Sequence, residues 1–493
     1  MSRQSRQRQS PESAIRWQRH PDGAVILTMD DPGQRVNTFN EAFTRSLATV
    51  IDRLEAERDT IAGVVLTSAK STFFAGGDLN RLLAVAPGQR QAFLDDLNDR
   101  KSRLRRLETL GRPVVAVLAG AALGGGLELA LTCHHRIAVD TPRVVVGLPE
   151  VTLGLLPGGG GVVRVTRMLG PGPALPILLT GTRLGPADAV AAGLLDELAD
   201  DEPRAIARAR AWIAAHPDAA QPWDRDDAAI RRAFAGQTAA IAADTEGGTV
   251  APGPAARAIS RLSLAGLGLP FHEALRAESA GLADLVVSDA AKATMRTVFF
   301  DTARIRSRLR PDTTVSARTP VLAYHDARTR KLLGSRRFGA KVEMVDARDR
   351  PGAVARLAAF RDSAAHVVFD LLPSESAPEP RPADQLNDRS DLNAAWLSED
   401  RLGDGGLVLE YWQGGGRLDN ALSALARAGV LPIALRPGTG SFTSAFAADP
   451  SLARQTLCYP EDFAVAAVRL GGRPAWLAGD TGTAGPAHGD QNR

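Results

Sequence analysis

The chain has 493 residues, of which 44% are hydrophobic and 23% charged. This length exceeds what one hydrophobic core usually organises, so we expect two or three domains. The 59 basic and 56 acidic residues leave a net charge of +3, which argues against a dedicated nucleic-acid-binding protein. The two cysteines are too few for a disulfide framework, which favours a reducing, cytoplasmic setting. No stretch is long and apolar enough to predict a membrane span.

The N-terminal part of the chain alternates between apolar runs and helical patterns. The predicted elements are a strand at 24–29, a helix capped by Asn40, a buried strand at 62–69, a helix at 89–110 and a buried strand at 113–120. Residues 185–240 are rich in alanine and arginine and are predicted to be helical. Strands that alternate with helices at this pitch predict an α/β domain with a parallel sheet.

This domain contains three glycine-rich segments. They read FFAGGDL at 73–79, ALGGGLE at 122–128 and GLPEVTLGLLPGGGG at 147–161. Each alone is typical of a tight connection between a strand and a helix. In ALGGGLE, however, the amide of Gly125 falls in the unsatisfied first turn of a helix, where it suits an oxyanion. The amide of Gly77 could supply a second donor, and such a pair would polarise a thioester carbonyl.

Two glutamates accompany these loops. Glu128 lies one turn into the helix that follows Gly125, and Glu150 follows Pro149 on a loop after a strand. Burial and mutual repulsion can give two neighbouring carboxylates different protonation states. One can then act as an acid and the other as a base on the same water. If instead the two side chains are solvated, they have no such role.

The three glycine segments together resemble the crotonase (enoyl-CoA hydratase/isomerase) superfamily. More narrowly, they look like the N-terminal part of the multifunctional fatty-acid oxidation α-subunit. The likeness runs from about Ile15 to Leu198 and resumes in the linker helices, at ARAWIAAHPDAAQPWD and MRTVFFDTARI. It implies a crotonase-like α/β fold that a helical linker completes, with an acyl-CoA as substrate and no cofactor beyond that CoA.

The resemblance also implies roles for particular residues. Glu150 would deliver a proton to the α-carbon of a trans-2-enoyl-CoA, and Glu128 would activate water for attack at the β-carbon. The amides of Gly77 and Gly125 would form the oxyanion hole. Further substrate-binding residues would be Ala75, Gly76, Asp78, Gly124, Pro149 and Gly158. Having both glutamates favours a hydratase over two alternatives, an enoyl-CoA isomerase of the same fold and a non-catalytic acyl-CoA-binding scaffold.

A second α/β unit is predicted after Pro320. In the multifunctional family this unit is a 3-hydroxyacyl-CoA dehydrogenase, whose first strand leads into a G-x-G-x-x-G turn. Here the turn carries Asp326, Arg328 and Arg330, and the family's catalytic histidine motif is absent from 390–420. Asp346 stands where the acid that binds the ribose would sit, but a single acid at the end of a strand does not by itself predict a dinucleotide site. We therefore expect no NAD binding, and a degenerate Rossmann-like domain with a structural or docking role.

The remaining expectations concern organisation, histidines and partners. The predicted parts are a disordered tail at 1–13, a hydratase domain at 14–200, a helical linker at 201–317, the Rossmann-like domain at 318–450 and a C-terminal tail at 451–493.

His134 and His135 are adjacent on a predicted helix, a spacing that does not favour a metal site, and Cys133 is expected to be a small buried residue. The resemblance implies assembly, as a homo-oligomer or with a thiolase-type subunit.

Overall fold

The computed structural model describes residues 13–244 and 253–301, and beyond them Leu425 and six strands of the C-terminal part. The chain divides into two units, residues 1–295 and 296–493. The two predicted tails, apart from Ser13, and the boundary expected at 317–318 lie outside the described residues.

A six-stranded sheet forms the centre of the N-terminal unit, in the order β1-β2-β3-β4-β6-β9. Its strands are β1 Ile15–Arg19, β2 Ala24–Met29, β3 Gly63–Ser68, β4 Val114–Leu118, β6 His135–Val139 and β9 Glu197–Ala199. Only β1 and β2 pair in the antiparallel sense. Every residue of β3 and β4 is buried, as expected for central parallel strands covered on both faces.

A second, three-stranded sheet joins the loops that carry the two glutamates. It consists of β5 Ala122–Leu123, β7 Val146–Gly147 and β8 Arg183–Leu184, with β7 in the centre. β5 pairs with β7 in the parallel sense, and the amide of Gly124 continues this pairing by donating to the carbonyl of Gly147 at 2.9 Å. The loop before Glu128 is thereby attached to the strand before Glu150.

The helices pack around the two sheets. The described helices are α1 Glu41–Ala56, α2 Leu79–Ala84, α3 Arg90–Glu108, α4 Gly125–Leu131, α5 Gly161–Leu169, α6 Pro171–Thr180, α7 Pro186–Ala191, α8 Glu202–Ala215, α9 Pro222–Asp244, α10 Pro254–Leu264, α11 Phe271–Val286 and α12 Asp289–Met295. Short 3-10 helices lie at Arg58–Thr60, Pro87–Gln89, Pro149–Leu153 and Ala265–Gly268, and a π-helical turn lies at Arg296–Asp301.

The first helix shows how the sequence specifies such an element. The side chain of Asn40 accepts the amide of Phe43 at 2.8 Å, which confirms the predicted cap. Helical spacing places Phe43, Leu47 and Leu54 on one buried face. Burying each side chain of this kind stabilises the fold by about 1.5–3 kcal/mol. The same core also takes up the apolar residues on one face of the central sheet, whereas those on the other face pack against α8.

The C-terminal unit contains a separate six-stranded sheet, ordered β11-β10-β12-β13-β14-β15. Its strands are β10 Thr319–Tyr324, β11 Glu343–Asp346, β12 His366–Leu371, β13 Asn393–Glu399, β14 Leu407–Trp412 and β15 Val430–Leu435. All neighbours are parallel except β13 and β14. A Rossmann-like fold for this unit stays a prediction, because Asp326, Arg328 and Arg330 of its first turn lie outside the described residues.

Candidate functional site

The glycine loop after β3 is held in place from both sides. The amide of Phe73 donates to the carbonyl of Ala121 at 2.9 Å, next to β5. On the other side, the amide of Ala75 donates to the carbonyl of Asn37 at 2.8 Å, and the carbonyl of Gly76 accepts the amide of Phe39 at 3.0 Å. The loop therefore presents Gly77 from a fixed backbone.

The start of α4 lies against this loop. A Cβ atom added to Gly125 would stand 3.2 Å from the Cα of Gly76, so the two glycine segments are in direct contact. Gly124, which precedes the helix, has a φ of +55°, a conformation that side chains disfavour. Among the described residues, neither the Gly77 amide nor the Gly125 amide has a hydrogen-bond acceptor. The structure thus brings together two free amide donors on neighbouring loops.

Glu128 lies in the first turn of α4 and is only 3% exposed. Its Oε1 atom accepts the amides of Gly159 at 2.6 Å and Gly161 at 2.8 Å. Burial, and then the nearby Glu278 carboxylate, raise the pKa of Glu128 from 4.5 to about 7, although the two amides oppose this shift. This side chain can therefore change protonation state near neutral pH.

Glu150 has a different environment. It belongs to the 3-10 helix Pro149–Leu153 and is half-buried, but its Oε2 atom is fully buried and has no hydrogen-bond partner. Its Oε1 atom would stand 2.6 Å from a Cβ atom on Gly124. Burial, and then the charge of Glu128, hold the pKa of Glu150 well above its usual value. The neutral acid is thus favoured at Glu150.

The other predicted substrate-binding residues are spread around these groups. On the first glycine loop, Ala75 is exposed and Gly76 is buried, and Pro149 opens the 3-10 helix. Asp78 caps α2, since its carboxylate accepts the amides of Asn80 and Arg81 at 2.9 and 3.4 Å. A Cβ atom on Gly158 would stand 2.1 Å from Cδ2 of Leu282, so this glycine faces α11.

Sequence reasoning missed three buried polar residues, Asn37, Lys101 and Glu278, that support the site. Asn37 lies beneath the first glycine loop, and the other two lie beside Glu128. A signal was present for Glu278, which occupies the apolar face of α11 between Leu275 and Leu282. Lys101 likewise interrupts the apolar face of α3. A charge at such a position predicts a buried partner, but the pattern does not identify that partner.

The histidines have structural contacts, as predicted, although they do not lie on a helix. His134 follows the end of α4, and His135 begins β6. The ring of His134 accepts the amide of Val114 at 2.9 Å through Nδ1, and the ring of His135 stacks on Trp212. Cys133 is fully buried, and burial raises the pKa of its thiol to about 12. The described residues contain no group of His, Cys, Asp and Glu side chains suited to a metal ion.

None of the helices within the described ranges is both long and apolar enough to span a membrane.

Comparison with known proteins shows what the N-terminal part of the chain is similar to. Residues 19–232 match the family model described as enoyl-CoA hydratase/isomerase. The fatty acid oxidation complex subunit alpha of Shewanella amazonensis is 40% identical over 188 residues, which are 38% of this chain and 26% of that protein. The protein of the same name from Shewanella halifaxensis is 34% identical over 307 residues, or 60% of this chain and 42% of that protein. The chain thus spans less than half the length of both relatives.

Among solved structures, the enoyl-CoA hydratase of Bacillus anthracis is 29% identical and has a TM-score of 0.37. The match covers 41% of this chain and 77% of that one. The match over residues 19–232 confirms that the N-terminal part of the chain resembles the crotonase, or enoyl-CoA hydratase/isomerase, superfamily. The resemblance to fatty-acid oxidation α-subunits is confirmed as well.

Proposed function

We propose that the N-terminal unit adds water to a trans-2-enoyl-CoA thioester and forms a 3-hydroxyacyl-CoA. The observation that carries this proposal is the contrast between the two carboxyl groups. Two amides donate to Glu128 and favour its ionised form, whereas the buried Oε2 atom of Glu150 has no donor. Hydration needs one base and one acid at the same site, and this pair offers both.

Each group has a defined part in the proposed reaction. Water attacks the β-carbon of the enoyl group while the Glu128 carboxylate takes a proton from it. The carbon–carbon double bond breaks toward the thioester, whose oxygen gains negative charge that the Gly77 and Gly125 amides stabilise. The resulting enolate then takes the proton of Glu150 at its α-carbon. Proton exchange afterwards returns Glu128 to the carboxylate and Glu150 to the acid.

The names of the relatives support a fatty acyl thioester as the substrate. Both curated proteins are subunits of a fatty acid oxidation complex, and the family model covers hydratases and isomerases together. We favour hydration over isomerisation because both carboxylates are present and buried at one site. A partner, whether a second copy or a thiolase-type subunit, stays a prediction.

The test mixes the purified protein with crotonyl-CoA and with longer trans-2-enoyl-CoAs. Loss of the ultraviolet absorbance of the conjugated thioester, together with the mass gain of one water, is the expected result. A 3-enoyl-CoA assayed in parallel detects the isomerase, which would create the conjugated absorbance without a mass change. Binding of these thioesters with neither reaction would instead indicate a non-catalytic scaffold and contradict the proposal.

A further inference from the structure

A buried ion pair lies beside Glu128, outside the groups that contact substrate in the proposed reaction. Glu278 of α11 is fully buried and Lys101 of α3 nearly so, with Nζ of Lys101 2.7 Å from Oε1 of Glu278. The Lys101 ammonium also donates to the carbonyl of Leu275 at 2.7 Å. Burying such a pair usually gives little net stability, because desolvation offsets the attraction. Its presence therefore suggests a purpose other than stability.

The pair acts on the same turn that holds Glu128. Glu128 accepts the amides of Gly159 and Gly161, and Glu278 accepts the amide of Gly160 between them at 2.7 Å. Glu278 also accepts the amide of Val163, at 3.1 Å, in the first turn of α5. Consecutive amides thus point alternately at two carboxylates. Gly160 permits this because its φ is +104°, in the left-handed region.

We propose that Lys101 and Glu278 are positioning residues for Glu128. Glu278 fixes the glycine turn 159–161, so that the amides of the turn donate to Oε1 of Glu128. The negative charge of Glu278 also favours the protonated form of Glu128. Lys101 pairs with Glu278 and offsets part of that charge. The functional part of this inference rests on the proposed role of Glu128 as the base.

The other charged side chain that contacts the turn, Arg164, is paired with a partner of opposite charge. The charged groups nearest to Glu128 are Lys101 of α3, Glu278 of α11 and Glu150 of the 3-10 helix. Arg164 of α5 donates to the carbonyl of Gly159 at 3.1 Å and is bound through two nitrogens by Glu108 of α3. Arg164 is therefore neutralised by its own partner, which leaves Lys101 and Glu278 as the pair that acts on Glu128.

The two members of the pair act on Glu128 in opposite directions. After burial, the charge of Glu278 is the largest cause that raises the pKa of Glu128, and Lys101 lowers that pKa by a smaller amount. Glu278→Gln should therefore lower the pKa of Glu128. The double variant Lys101→Met with Glu278→Gln removes both charges and should lower the pKa less.

The experiment measures kcat/KM for enoyl-CoA hydration against pH in these variants. The acid limb is the fall of kcat/KM at low pH, where Glu128 becomes protonated. We expect its midpoint to shift to lower pH by about one unit or more in Glu278→Gln, and by less in the double variant. Asp227→Asn is the matched control, because it breaks another buried ion pair of α5, with Arg167, without contacting the turn. Its acid limb should not move. An unmoved limb in Glu278→Gln would overturn the proposal, since a purely structural role lowers the rate at every pH.

A second readout does not depend on activity. Because the pKa of Glu128 is raised in the folded protein, its protonation stabilises the fold below pH 4.5, and this contribution is lost as the pH rises to about 7. The difference in unfolding free energy between the parent protein and its Glu128→Gln variant, followed against pH, measures that loss. The same comparison is then made between Glu278→Gln and the double variant Glu128→Gln with Glu278→Gln. There the stabilisation by protonated Glu128 should be lost at a lower pH.

This readout separates the two possible failures. A protein that shows no hydration but retains this stability shift supports the positioning role and contradicts the proposed function. Stability profiles that are identical with and without Glu278→Gln contradict the positioning role whatever the activity. If Glu278→Gln alone does not fold, the double variant, which leaves no unpaired buried charge, gives the same comparison.

Discussion

At the scale of single residues, two glutamates of the same chemical type differ because their neighbours differ. The carboxylate of Glu128, a residue of α4, lies at the N-terminal end of α5, where two backbone amides stabilise its charge. No group donates to the buried oxygen of Glu150. The sequence predicted that the pair would separate into acid and base, but it could not predict the turn that distinguishes them, because Gly159 and Gly161 are distant from Glu128 in the chain.

The raised pKa of Glu128 predicts a pH dependence for catalysis. A base must be ionised, so kcat/KM should fall about tenfold per pH unit as the pH drops below about 7, where Glu128 becomes protonated. The opposite limb, where Glu150 loses its proton, should lie at higher pH because burial and the charge of Glu128 raise the pKa of Glu150. A rate profile in the free enzyme measures both limbs. A profile that stays flat through the acid range would show that Glu128 is not the base.

Gly125 offers a steric test of the oxyanion site. A Cβ atom there would stand 3.0 Å from the Phe39 ring and 3.2 Å from the Cα of Gly76, so Gly125→Val should push the two donor loops apart. Loss of one such donor costs on the order of 10²–10³-fold in kcat. Gly236→Val is the control, because nothing lies within 4 Å of its added Cβ atom. A folded Gly125→Val protein with full activity would contradict the proposed oxyanion site.

At the scale of elements, the sequence predicted best those segments whose signal is local. The predicted strand at 24–29 matches β2 Ala24–Met29, and the predicted helix at 89–110 contains α3 Arg90–Glu108. The helical prediction for 185–240 was wrong in part, because β9 Glu197–Ala199 lies within it as the edge strand of the central sheet. Three residues carry too little periodicity to reveal a strand that long-range pairing creates.

The loop that carries Gly77 depends on Asn37, which is fully buried. Its side-chain amide donates to Ser68 at 2.9 Å, and its backbone carbonyl accepts the amide of Ala75. Asn37→Ala should destabilise the fold by about 1–3 kcal/mol, because it leaves buried polar groups without partners. It should also lower kcat/KM by about tenfold or more through a looser loop.

Denaturant unfolding and hydration kinetics together check this prediction. Asn80→Ala, on the surface of α2, is the control and should change neither quantity. A destabilised Asn37→Ala protein that keeps its full kcat/KM would show that Asn37 supports the fold but not the position of Gly77.

At the scale of the whole molecule, the sequence predicted both a fold and a site for the first unit, but only a fold class for the second. For the second unit, the sequence predicted an α/β arrangement after Pro320, and the six strands described there form one sheet. The chemistry of this unit depends on the turn after β10, where the sequence has DARTRKLLGS in place of a glycine-rich turn. Side chains there should keep a dinucleotide pyrophosphate from approaching the backbone.

We therefore expect that the chain neither binds NAD nor oxidises a 3-hydroxyacyl-CoA. Isothermal titration with NAD and NADH, combined with an absorbance assay on 3-hydroxybutyryl-CoA, tests this expectation. Weak binding that disappears with added salt would reflect only the attraction of Arg328 and Arg330 for phosphate. Micromolar NADH affinity together with turnover would show a working dehydrogenase and contradict the expectation.

The most direct test of the hydratase site compares Glu128→Gln and Glu150→Gln with the parent protein. Glutamine is nearly isosteric, so each variant should keep the fold and the affinity for acyl-CoA. Each should hydrate crotonyl-CoA and longer enoyl-CoAs about 10²-fold or more slowly, because a positioned base or acid is lost. Two folded variants that hydrate these substrates at the parental rate would contradict the assignment of the reaction to Glu128 and Glu150.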